Sequence, residues 1–202
     1  MSIVRNAFFV CLLAAALAAA AVDPPLLNLV MPDAKFISGI QVDSSKNSAF
    51  GKYVLSQMQS EDPGFAKFIA DTGFDPRRDL TEIVAGTTGA SDNPMLLVVG
   101  SGSFNPGAIA NAAQAHGASV ANYGGFTVIT HATRGSSQGA LTFLSASLAA
   151  MGTQDAVYAA IDRYKSGATL PSALAAKANQ LAAANDAWFV STGPVSDFFT
   201  GK

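Results

Sequence analysis

Phe36, Ser38, Ile40 and Val42 fall on one side of an extended segment, so KFISGIQV at 35–42 predicts a half-buried strand. Beyond it the period lengthens. Phe50, Tyr53, Val54 and Met58 recur at helical spacing after Ser48-Ala49-Phe50-Gly51, and a second short helix places Phe65, Phe68 and Ile69 on one side before Gly73. FDPRRDLTEIVAGTTG at 74–89 reads as a proline turn and then a strand around 82–87, and 95–99 gives the next strand. A helix over 108–116 puts Ile109, Ala112, Ala113 and His116 on one face and is stopped by Gly117. Segments 119–122, 126–131 and 141–148 with its continuation are strand-like. After Gly152 the period is helical again, first through Val157, Ala160, Ile161 and Tyr164, then through Leu174, Ala178 and Leu181, and 188–191 closes the pattern as a strand.

The order from 35 to 131 is therefore strand, helix, strand, strand, helix, strand. It predicts an α+β fold: a ferredoxin-like (split βαβ) unit over 35–135, an antiparallel sheet with helices on one face, and a partial second unit over 136–202 packed on the first. A Rossmann-type parallel sheet is disfavoured, because hairpin-length links around 90–94 and 123–125 join neighbouring strands without a crossover helix. Asp33-Ala34-Lys35-Phe36-Ile37-Ser38 and Asp186-Ala187-Trp188-Phe189-Val190-Ser191 share four of six positions, an internal echo that fits a repeated unit.

The first 21 residues have a different character. Arg5 precedes an apolar run that continues through an alanine tract to Ala21, and Val22-Asp23-Pro24-Pro25 breaks it. This is the grammar of a secretory signal peptide over 1–21, cleaved near Ala21, with 22–34 as an N-terminal linker. The run is too short to span a bilayer, so no transmembrane segment is expected after cleavage, and the expected location is secreted or periplasmic. Cys11 is the only cysteine and lies within the leader, so the mature chain has neither a disulfide nor a thiol. Loss of Arg5 leaves 11 basic against 14 acidic residues, a net charge of −3, too small and too evenly spread to suggest nucleic acid as a partner.

Several motifs carry possible chemistry. Gly100-Ser101-Gly102-Ser103 follows a strand and precedes a helix, as a phosphate cradle would. However, Asn105 stands where the third glycine belongs, and no acidic residue lies between Asp92 and Asp155 to hold a ribose. Asn105 and Pro106 read instead as helix cap and first helical residue, and no cofactor is expected. Gly135-Ser136-Ser137-Gln138-Gly139 matches the nucleophile-elbow pattern, yet a strand follows it and both histidines precede it. Ser137 with His131 is thus only the alternative, a weak serine hydrolase. His116 and His131 lie 15 residues apart without an acidic partner between them, so no metal site is expected. Arg77 and Arg78 on a rigid turn could contact an anion, but each has an aspartate within two positions, which favours local ion pairs.

The segment Met95-Leu96-Leu97-Val98-Val99 is apolar on both faces of its strand. Helices cover one face of a two-layer sheet, so Leu96 and Val98 on the other form a candidate interface. The segment after Gly139 is expected to cover part of it, and self-association or a partner the rest.

Pro32-Asp33-Ala34, Phe74-Asp75-Pro76-Arg77-Arg78-Asp79-Leu80, Phe104-Asn105-Pro106 and Met151-Gly152 before Ala156 carry a resemblance to a loose group of secreted bacterial proteins built from ferredoxin-like units. The resemblance implies a fold and a compartment, and no function is attached to the group. The expected role is a non-catalytic domain that binds a protein or envelope component, with homo-oligomerisation as one form of it.

Overall fold

Pro24 and Pro25 open a helix instead of a linker. In a computed structural model, which describes residues 21–49, 51–53, 63–89, 94–131 and 138–194, they start α1 (Pro24–Leu29) with proline in its first turn. Proline's fixed φ suits that position, where its missing N–H is no loss. Val22, Leu26, Leu27, Leu29, Val30, Met31 and Ala34 are all buried, so the segment expected as a linker over 22–34 belongs to the core. Six helical residues, apolar nearly throughout, are too few for a helical period to show in the sequence.

The chain continues through β1 (Phe36–Gln41), α2 (Val42–Ser45), α3 (Pro63–Thr72), α4 (Pro76–Asp79), β2 (Leu80–Thr87) and β3 (Leu96–Gly102). Next come α5 (Pro106–Ala115), β4 (Ser119–Tyr123), β5 (Phe126–His131), β6 (Gly139–Phe143) and β7 (Leu148–Thr153). The described chain ends through α6 (Gln154–Ser166), α7 (Ser172–Ala182) and β8 (Ala187–Ser191). Of the helix expected from Ser48, the residues 48, 49 and 51–53 are described; Ser48 is a bend, and 49 and 51–53 are helical.

The eight strands among the described residues form one sheet in the order β4-β5-β6-β7-β3-β2-β1-β8, and every neighbouring pair is antiparallel. The α+β class and the antiparallel sheet are as expected. The strand order corrects the ferredoxin-like detail. A split βαβ unit sets its first and third strands side by side, with the second beyond the third and parallel to the first, whereas here β2 lies between β1 and β3 and is antiparallel to both. The connection through α2, α3 and α4 returns the chain antiparallel beside β1, a choice that hydrophobic period does not encode. Residues 139–191 add β6, β7 and β8 to this same sheet, so the expected partial second unit is integrated with the first. The two echoed segments are direct neighbours: β1 pairs with β8, Ser38 opposite Phe189, with the Phe36 and Phe189 rings stacked at 5.8 Å.

One sheet face carries Ile37, Val84, Leu97, Val99, Ala150, Thr142 and Val128, none more than 1% exposed. Cross-strand partners share a face, and these residues are linked through the registers of β1 to β7. Over them lie α1, α6 with Ala156, Val157, Ala160 and Ile161, and α7 with Ala178 and Ala182. Among the described residues the opposite face is covered most fully at one end, although Phe36 on β1 and Ile129 on β5 are also buried. At that end the rings of Phe68, Phe74, Phe104 and Phe143 form a chain that ties α3 and the start of α5 to β6.

Candidate interaction surface

Along that second face a row of cross-strand partners runs through the eight described strands, exposed at Phe189 and Met151, half-buried elsewhere and buried at Ile129. From β8 to β4 it reads Phe189, Ser38, Ala85, Val98, Met151, Leu141, Ile129 and Val120, each opposite the next. Ser38 is its only polar member. Eight strands spaced by about 4.8 Å make the row roughly 34 Å long. Leu96, one pair along β3 from Val98, is 47% exposed, and Met151 is 53% exposed. Ile40 and Phe189 at the other end are also exposed. A monomer surface rarely leaves so many large apolar side chains contiguous. Between the end of α5 and β5–β7 the row deepens into a groove of about 360 Å³ lined by Ala113, His116, Ile129, Leu141 and Met151, almost wholly apolar.

Leu96 and Val98 are thus on one face, as their alternation requires, and they lie opposite Leu97 and Val99. The segment after Gly139 covers the latter pair with α6 and extends the sheet beside β3 with β7. It leaves Leu96 open and Val98 half-buried. Met151, Leu141 and Ile129 complete the patch. Each sits in a strand legible from the sequence, but only the β3–β7–β6–β5 pairing brings them beside Val98.

The other sequence candidates are placed apart from this surface. Arg77 Nε and Nη2 donate to Asp75 Oδ1 and Oδ2 at 2.8 and 2.7 Å, a bidentate pair, and Asp75 also accepts from Arg77 N–H as cap of α4. Arg78 grips Asp79 at 2.6 and 2.7 Å and reaches Gly73 O at 2.8 Å. These guanidinium contacts hold the Asp75 and Asp79 carboxyls below the usual aspartate range. His131 ends β5 opposite Gly139, while Ser137 lies outside the described residues. His116 Nε2 stands 3.6 Å from Asp71 Oδ2, joining α5 to α3, and Asp71 also pairs with Lys67 at 2.7 Å.

At the glycine corner after β3 the backbone donors are already engaged: Gly102 N–H by Ser147 O, Ser103 N–H by Asp79 O and Phe104 N–H by Ala146 O, at 2.8–3.0 Å. Gly102 is a close-approach position, since a methyl there would stand 2.2 Å from the Asp79 carbonyl oxygen. Asn105 Oδ1 accepts Ala108 N–H at 3.1 Å as cap of α5.

One polar cluster has no counterpart in the sequence reading. Glu82 on β2 is 5% exposed, accepts Asp23 N–H at Oε2 (3.0 Å) and Gln41 Nε2–H at Oε1 (2.8 Å), and burial pushes its carboxyl up. Its partners are 59 and 41 residues away in sequence, which is why no local pattern reveals it.

No family model matches the chain, and no curated protein sequence matches it. Among solved structures it is similar to TP0453 in crystal form I, with 16% identity, a TM-score of 0.40, and coverage of 80% of this chain and 52% of that one. It is likewise similar to crystal form IV of TP0453, at 16% identity and a TM-score of 0.44, covering 71% and 54% of the two chains. The chain thus spans about half the length of the TP0453 chain.

Proposed function

We propose that the protein is a non-catalytic, exported domain, secreted or periplasmic, that binds a partner protein through the open face of its sheet. The observation behind this is the row from Val120 through Ile129, Leu141, Met151, Val98 and Ala85, flanked by Leu96. A long apolar strip suits the roughly 800 Å² that each side of a standard protein interface buries, whereas a small molecule is held in a concave site that covers most of its surface. The groove beneath His116 would take one large apolar side chain of the partner, as an interface anchor does. Groups of three or more His, Cys, Asp or Glu able to hold a metal do not occur among the described residues, and Arg77 and Arg78 are engaged with aspartates.

The test compares the exported protein with Met151→Lys and Leu96→Lys. Both side chains are about half exposed, so the variants should fold and melt within about 2 °C of wild type, the span expected of exposed substitutions. Size-exclusion of tagged wild type from its native compartment should show a complex that both variants lose. Variants that keep the complex, or a wild type that elutes alone, would refute the reading.

A further inference from the structure

The described chain enters the core abruptly. Ala21 is exposed, whereas Val22 is 1% exposed and its side chain joins the core beneath α1, α6 and α7. Its backbone N–H donates to Asn179 Oδ1 on α7 at 3.1 Å, and the next N–H, of Asp23, donates to Glu82 Oε2 on β2. Two side chains from distant parts of the chain thus converge on two consecutive backbone nitrogens. Glu82 is buried, and among the described residues no lysine, arginine or histidine forms an ion pair with it. A carboxylate so placed lacks the cation that would offset its desolvation.

We propose that this cradle is built for the α-ammonium of Val22, created by removal of the leader between Ala21 and Val22. The inference rests on the reading that the chain is exported. Hydrolysis by an export peptidase breaks the Ala21–Val22 C–N bond; the water oxygen goes to the Ala21 carboxylate and both water hydrogens to the Val22 nitrogen. A neutral amide with one proton becomes an ammonium with three, charged at neutral pH. One N–H keeps the Asn179 acceptor, and the new charge lies one residue from the Glu82 oxygen. Processing therefore completes the core. The precursor, with a neutral nitrogen beside a buried carboxylate, is the weaker fold, which suits a chain that crosses a membrane before it folds.

The decisive comparison uses two proteins with defined starts, released from a fusion without added residues, one beginning at Val22 and one at Ala20. The Val22 form should melt about 5 °C higher, a shift worth one or two buried polar contacts in a domain of this size. Its α-amine should react with an acylating reagent about tenfold more slowly than that of the Ala20 form, as a group reached only through local opening does; mass spectrometry of the N-terminal peptide reads the rate. In Glu82→Gln the melting gap between the two starts should close by at least about half, since the cation loses its partner. Equal melting and equal labelling overturn the proposal, as does a gap that Glu82→Gln leaves unchanged. If Glu82→Gln does not fold, the labelling ratio in wild type decides. Intact mass of the exported protein separates the two readings: a chain starting at Val22 supports both, and a cleaved chain starting elsewhere overturns the processing role with export intact. An uncleaved chain in the membrane fraction overturns export, and with it the processing role, while the defined-start comparison still reports whether the cradle holds an amine.

Discussion

A methyl group at Gly39 would stand 2.3 Å from Trp188 Cζ2, closer than any real contact. The two residues face each other across β1 and β8, and the indole fills the space a side chain at Gly39 would need. Among the described residues Trp188 Nε1 has no hydrogen-bond partner. Gly39→Ala must therefore push the indole aside and should cost about 1–3 kcal/mol, the range for overpacking a filled site. Chemical denaturation would measure the loss and tryptophan emission the displaced ring; unchanged stability and emission would mean that the ring has room to move. At this scale the sequence is legible where the physics is local. Asn105-Pro106 announces a capped helix because cap and donor lie three residues apart. Glu82 and Asn179 announce nothing, because their partners come from other elements.

Elements were legible in proportion to their length and period. Most strands and the longer helices appear where alternation and helical spacing place them, but the strand expected over 141–148 is a hairpin, β6 and β7, that turns at 144–147, and α1 is hidden behind Pro24-Pro25 in what the pattern makes a linker. Leu26→Ala tests its standing: at 0% exposure the truncation should cost about 2–5 kcal/mol in an unfolding titration, and a linker residue would cost almost nothing. The short α4 makes a different prediction. Asp75 and Asp79 have folded pKa values lowered chiefly by side-chain hydrogen bonds from Arg77 and Arg78, respectively. A carboxylate with a lowered folded pKa stabilises above its unfolded value, about 3.9, and that contribution is lost as pH falls through the folded value. Asp75→Asn keeps a capping oxygen but removes the titration, so its stability should fall less steeply than wild type below pH ~4. Parallel acid-unfolding curves would show that the pair does not contribute.

For the molecule as a whole, class was legible and order was not. Short links gave an antiparallel sheet with helices, but the long connection from β1 could return the chain to either side, and it places β2 where the ferredoxin-like order would put β3. The same order decides the candidate surface, since Leu96 and Val98 matter only once β7, β6 and β5 bring Met151, Leu141 and Ile129 into line. Because Leu97 is fully buried beneath the helices and Leu96 is not, three aspartate substitutions on this strand should separate folding from assembly. Leu97→Asp places a charge in the core and should prevent folding, and half-buried Val98→Asp should fold with a lowered melting temperature. Leu96→Asp should fold like wild type, as should Lys177→Asp on the exposed side of α7. If copies of the chain can meet through the open face, light scattering over a concentration series should give wild type and Lys177→Asp a mass that rises with concentration, and Leu96→Asp a constant monomer mass. Burial of two such side chains contributes about 3–6 kcal/mol, enough for association in the concentrated range. A wild type that stays monomeric throughout and binds no hydrophobic dye would remove self-association and leave the strip without an exposed apolar surface to offer any partner.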